Sequence, residues 1–288
     1  MNKFIVYICT IIAALLLLCA CSSSDSDTVT EQRFPSCFAY VNDMTTGVDA
    51  TYSQVGYTLR LNYTNLTAEV DITNLRTTDG NSYSLITLQN VPWTIDRDGC
   101  IKVSGSNIPA KTGTGSSLVF SSFNIRLTER MVDNQYSPGF VIYYTIDMRH
   151  AVLSSNQDQV IFGKTISTSD SGKPFETENT VYKLYFNADT RRLNLSMLKA
   201  SFIGQMPAMN IDLENIPFTF EGQSARFSVD NIIPKIGGKD YPSFPISNLK
   251  GQFNFGNDFT LTFICDPAMA PGKYDVSAKC SFNFQPSN

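Results

Sequence analysis

The chain has 288 residues, 42% of them hydrophobic, with 22 Lys+Arg against 26 Asp+Glu and a formal net charge of −4. A mildly acidic chain with no basic run lacks the electrostatic footprint for nucleic acid, which is excluded as a partner, and for anionic lipid headgroups. The length suits two domains better than one.

The N-terminus comes first. Lys3 is followed by the apolar run FIVYICTIIAALLLL, Phe4 to Leu18, which is 15 residues long. Crossing a hydrocarbon core of roughly 30 Å takes about 20 helical residues, so the run is short for a transmembrane helix and suits the apolar region of a signal peptide. Next come Leu18-Cys19-Ala20-Cys21 and then SSSDSD. This segment resembles the lipobox of bacterial lipoproteins, with Leu18 three residues before the acceptor and Cys21 as the acceptor; Cys19 stands where Ala or Ser is commoner. The resemblance implies that residues 1–20 are a signal peptide, and that the Cys21 thiol becomes a thioether to diacylglycerol. The acylated Cys21 then holds the chain on a membrane, each buried methylene contributing about 0.8 kcal/mol.

Residues 22–33, SSSDSDTVTEQR, contain one aliphatic side chain and cannot bury a core, so 21–33 reads as a lipidated flexible tether. Its Ser/Asp composition also resembles the acidic signals that send some lipoproteins to the outer face of the outer membrane. The expected address is therefore the bacterial outer membrane, exposed at the cell surface, with a periplasm-facing orientation as the alternative. Removing residues 1–20 takes away Lys3 alone and leaves 268 residues with 21 Lys+Arg against 26 Asp+Glu. Beyond Cys21 the mature cysteines are Cys37, Cys100, Cys265 and Cys280. An even number in an exported protein permits disulfides. Cys265 and Cys280 flank a turn near DPAMAPG and would lie out of register across it, so buried apolar thiols are expected.

The rest of the chain repeats itself. Sliding it by 125 residues aligns Tyr57–Gly113 with Tyr182–Gly238 without a gap, and 11 of 57 positions are identical, among them Tyr57/Tyr182, Asn62/Asn187, Asn90/Asn215 and Pro92/Pro217. Such a repeat is too long for a solenoid unit and about right for a folding domain. The predicted domains are 34–157 and 158–288. Within each, apolar residues alternate in short runs, YTLRLNY, AEVDITNL, FNIRLTER and FVIYYTID, then YKLYFNA, RLNLSML, ARFSVD and FTLTFICD. Turn clusters separate them, which predicts antiparallel strands throughout. The fold class is all-β, two tandem homologous domains. The layout of lipobox, acidic tether and β meanders resembles bacterial surface lipoproteins with calycin-like domains, which implies barrels of the lipocalin type; β-sandwiches are the second architecture.

The motif LQNVPWTI, Leu88–Ile95, returns as LENIPFTF, Leu213–Phe220, and its alternation changes phase midway. Ile86 and Leu88 are apolar on even positions, then Val91, Trp93 and Ile95 on odd ones. A slip of one residue sends side chains to the other face, so a bulge is expected at Asn90 and at Asn215 to return them to the core. Proline belongs at such a break. The echo reads as structural, and Trp93 and Phe218 stand as the only candidates for a paired binding site.

Catalytic marks are missing. One histidine, His150, supports neither a His-based metal site nor a triad. Asp96-Arg97-Asp98-Gly99 lacks the ligands of an EF-hand and reads as a hairpin turn. No catalytic residue, metal site or cofactor is predicted. The function expected is that of a non-catalytic binding protein at the cell envelope, taking a small apolar ligand inside a barrel, a glycan, or a surface protein. The alternatives are a structural or adhesive surface protein and, third, a carbohydrate-active hydrolase.

Overall fold

The structure is a computed structural model that describes residues 29–96, 99–132, 135–169, 172–266 and 272–281. The signal peptide, Cys21, the tether up to residue 28, and Arg97 and Asp98 lie outside the described residues.

Eight strands form the first barrel: β1 (Val29–Asp43), β2 (Asp49–Asn62), β3 (Thr67–Arg76), β4 (Ser82–Ile95), β5 (Ile101–Thr112), β6 (Ser117–Val132), β7 (Gln135–Ile146) and β8 (His150–Asn156). Each pairs antiparallel with the next, and β1 pairs with β8 to close the ring. Closure removes the edges that an open sheet would expose. The alternating residues of each strand supply the interior; in β2 and β3, for example, Tyr57, Leu59 and Leu61 face Val70 and Ile72.

The second barrel follows directly. Its strands are β9 (Asp158–Ser169), β10 (Phe175–Thr177), β11 (Val181–Asn187), β12 (Arg192–Ala200), β13 (Met209–Glu221), β14 (Ser224–Ile232), β15 (Lys235–Ile236), β16 (Lys239–Asp240), β17 (Ile246–Asn254), β18 (Asp258–Cys265) and β19 (Tyr274–Ser281). Strand order β12-β11-β9-β19-β18-β17-β14-β13, closed by the β12–β13 pairing, makes a second eight-stranded ring, while β10, β15 and β16 are short additions. Barrels, the first of the two architectures expected, are what the chain builds.

The duplication extends to backbone detail. Positive φ occurs at Leu66, Asn74 and Asn90, and again 125 residues on at Arg191, Lys199 and Asn215. In both copies an Asn side chain at the end of a strand caps the following turn, Asn62 accepting from Asn65 N and Asn187 from Thr190 N. The phase change lies where the motif placed it. Between the pairs Val70↔Leu88 and Ala68↔Val91, β4 holds one residue more than β3, and Leu195↔Leu213 and Leu193↔Ile216 repeat the bulge. Asn90 and Asn215 take the left-handed conformation there, which Asn tolerates better than other side chains.

Three expectations need correction. Residues 29–33, read as tether, are the first rung of β1, from Val29↔Asn62 to Arg33↔Thr58; a strand at a barrel rim gains ladder bonds without burial, and Glu31 pairs with Arg33 and Arg60. The gapless alignment holds as far as Thr94/Thr219. Beyond it the register shifts by one, because Trp93 pairs with Val103 but Phe218 with Phe227, so Ile108 is buried while its aligned partner Ile233 is exposed. Ile95, expected in the core, is 58% exposed, whereas Phe220 is 7% exposed.

The contact between the barrels explains that last difference. Phe38 and Tyr40 point outward from β1, and the Phe38 ring lies 5.6 Å from Phe220 and 5.5 Å from Phe255, while Tyr40 stacks on Phe220 at 4.5 Å. Tyr143 donates to Phe255 O at 2.6 Å and Thr51 to Ala188 O at 3.0 Å. One end of the second barrel is thus stopped by the outer wall of the first, and the core of the second barrel continues onto that wall as one apolar cluster, while the interior of the first barrel forms another. Following the registers around each ring, the wall positions Phe38, Tyr40, Val141, Tyr143 and Leu153 correspond to Lys164, Ile166, Thr260, Thr262 and Ser277 in the second barrel. The docking wall is apolar in one copy only.

Candidate functional site

Trp93 and Phe218 line different barrels and belong to different core clusters. Trp93 N donates to Leu66 O at 3.0 Å and Phe218 N to Arg191 O at 3.1 Å, the same bond in each copy, and Trp93 Nε1 donates to Asn62 O at 3.1 Å. Both residues hold a turn through the backbone, and Trp93 adds its ring nitrogen.

The barrel interiors are occupied by their own side chains. In the first, the Tyr57 and Tyr144 hydroxyls share a hydrogen bond at 3.2 Å, and Phe120 lies 5.2 Å from Tyr144. In the second, the Thr165 and Tyr182 hydroxyls meet at 2.6 Å and Tyr182 lies 5.5 Å from Phe259. Phe202, 5.3 Å from Phe263 and 6.2 Å from Phe244, fills the end away from the first barrel. Eight strands leave room for one small ligand or for side chains. Aromatic rings take that room here, so the apolar ligand expected inside each barrel loses its support.

The remaining reactive side chains are held in structural roles. Burial pushes the Cys37, Cys265 and Cys280 thiols up to about 12, which keeps them protonated and inert at neutral pH. Cys265 pairs across with Tyr274 and Cys280 with Phe259, so the two are out of register as expected. His150 is buried with Nε2 3.7 Å from Asp79 Oδ2. Next to it Arg149 donates to Asp43 Oδ2 at 2.7 Å and to Asp79 Oδ2 at 3.4 Å. The Arg149 guanidinium, with the Thr45 and Thr46 amides, holds Asp43 well below the usual carboxylate range. The cluster ties three turns of one barrel end together. Asp96 Oδ1 accepts from Cys100 N at 3.0 Å.

Among the described residues, a groove of about 680 Å³ is open to a ligand on the outer face of the second barrel, across β13, β14, β17 and β18. Register builds it in two rows. Thr219, Arg226, Gln252 and Thr260 pair in sequence across the four strands, and Ser228, Lys250 and Thr262 form the next outward row. Between them lies the row of Phe218, Phe227, Gly251 and Leu261, whose backbones form the floor. Gly251 has no side chain, and the Phe227 ring lies over it on the core side, with an added Cβ falling 2.1 Å from the ring. Arg226 is fixed by Glu221 at 2.8 Å and by Gln252 Oε1 at 3.2 Å. Lys250 has no ion pair among the described residues, so its ammonium is available to a ligand. Glu221 is the one carboxylate in the lining, already paired, so the groove offers no acid/base couple for glycoside hydrolysis. Sequence reasoning missed this site because its side chains come from four strands and meet only once the register is known.

No family model and no curated protein matches the chain. Among solved structures it is similar to a candidate outer membrane protein of Bacteroides fragilis NCTC 9343, at 11% identity over 87% of this chain and 96% of that one, with a TM-score of 0.34. It is also similar to a double mutant of Transferrin Binding Protein B from Haemophilus parasuis Hp5, at 4% identity over 89% of this chain and 76% of that one, with a TM-score of 0.24. Likenesses of this size leave the two-barrel fold to stand on its own geometry.

Proposed function

We propose that the protein is a non-catalytic binding lipoprotein of the bacterial outer membrane, anchored through acylated Cys21, that presents the groove of its second barrel to a hydroxyl-rich ligand of the glycan class. The observation that carries this reading is the groove itself, two outward rows of hydroxyl, amide and cationic groups over a filled barrel. Such donors and acceptors match sugar hydroxyls, and the filled interior leaves the outer wall as the binding surface. The Ser/Asp run after Cys21 supports exposure at the cell surface.

The test is titration of the full chain against soluble envelope and host oligosaccharides. Lys250→Ala is expected to weaken a binding glycan about tenfold, the effect of one lost charge-assisted hydrogen bond, with the thermal midpoint unchanged. Equal affinity in the variant would remove the groove from the proposal. For the anchor, Cys21→Ala is expected to abolish acylation and leave residues 1–20 attached, while both barrels fold as before. Mass spectrometry of the N-terminal peptide reads the result, and a bare Cys21 thiol in the membrane-extracted wild type would contradict it.

A further inference from the structure

We propose that the free end of the first barrel rests on the surface of the bilayer that carries the lipid anchor. The inference rests on acylation of Cys21 and adds a face and an orientation to it. At this end Val29, Tyr63, Leu66 and Ile95 are 49%, 38%, 53% and 58% exposed. They come together because β1 starts beside the end of β2, at Val29↔Asn62, and because the β2–β3 turn bonds to β4 through Trp93 N and Leu66 O.

The second copy shows what this end of the fold does. There the equivalent turn and Phe220 are docked, with Phe220 against Tyr40 and Arg191 paired to Asp49 at 2.5 Å. In the first copy the same surface faces outward with its large apolar side chains in place. Neither barrel wall of a second copy offers it a matching face. The apolar wall of the first barrel is already covered, and the corresponding wall of the second carries Lys164, Thr260, Thr262 and Ser277.

A lipid surface fits on three counts. The turn Asn62–Thr67, NYTNLT, carries no charge. Its amides are satisfied from within, Asn62 Oδ1 accepting from Thr64 N at 2.9 Å and Asn65 Oδ1 from Thr67 N at 3.1 Å, so covering it leaves few polar groups unpaired. Tyr63 brings a ring with a polar tip, the kind of side chain that favours the headgroup region. Position decides between the two ends of the barrel. Seven residues separate Cys21 from Val29, eight Cα–Cα steps with a reach of at most about 28 Å, so the anchor holds this end near the lipid, whereas the opposite end lies a further ~45 Å away along β2.

The chain's single tryptophan, Trp93, lies 4.9 Å from Tyr63 and reports on the contact. The full-length acylated protein, purified from membranes, would be reconstituted into phosphatidylethanolamine/phosphatidylglycerol vesicles containing a headgroup-nitroxide phosphatidylcholine. Trp93 emission is expected to be quenched in the wild type. In the double variant Leu66→Glu, Ile95→Glu that quenching should be lost, while the protein still floats with the vesicles and keeps its thermal midpoint. Unquenched Trp93 in vesicle-bound wild type, or equal quenching in the variant, overturns the proposal and would fit a protein partner at this end. An unacylated Cys21 peptide in the same sample overturns the anchor itself.

Discussion

Gly163→Ala is expected to destabilise the second barrel by about 3 kcal/mol or more, at the upper end of what overpacking costs. Gly163 lies on β9 opposite Cys280 on β19. A Cβ added there would stand 2.2 Å from Lys279 O and 2.4 Å from the Cys280 Cα. Both are backbone atoms, so no rotamer change makes room. The strands themselves must move apart, and in a closed ring that movement is passed to every neighbour. Gly204→Ala is the control, because its Cβ would meet only Phe175 at 3.8 Å, an ordinary contact. Urea unfolding followed by circular dichroism checks the pair. Equal midpoints for Gly163→Ala and wild type would show that the β9–β19 seam is looser than described.

Trp93→Ala is expected to cost about 3–5 kcal/mol, the range for a large aromatic removed from a core. Trp93 is 4% exposed, and its loss opens a cavity and leaves Asn62 O without its donor. Trp93→Phe should cost clearly less, since the second copy is built with Phe218 at this place. Because the chain has one tryptophan, unfolding must again be followed by circular dichroism. If Trp93→Ala kept the wild-type midpoint and instead lost a ligand, the paired-site reading of Trp93 and Phe218 would be restored.

The strands and the bulge were legible because they depend on local periodicity: side chains alternate inward and outward, and a change of phase has to be absorbed where Asn and Pro stand. The counterparts of β1 and β8 were not. Their outward residues form the docking wall in the first copy and a solvated wall in β9 and β19, so Lys164 stands in the place of Phe38 and Ser277 in that of Leu153, and the identities left, Gln32/Gln159 and Val152/Val276, are too few to reveal the pairing. Ile95 was misplaced for a related reason: alternation assigns a face, but what lies over that face is a tertiary matter. The groove was hidden by register, since only the pairing of β13, β14, β17 and β18 places Arg226 beside Gln252 and Lys250 beside Thr262.

The one-sided wall also limits how the molecule can polymerise. A barrel end that docks on a barrel wall is a heterologous contact, and such contacts extend into open fibres unless their geometry closes. Had the second barrel kept an apolar wall, the free end of each molecule would find a seat on its neighbour, and crowding on a two-dimensional membrane would drive chain growth. With Lys164, Thr260 and Thr262 in those places, the array has a terminator written into its last unit and stops at two.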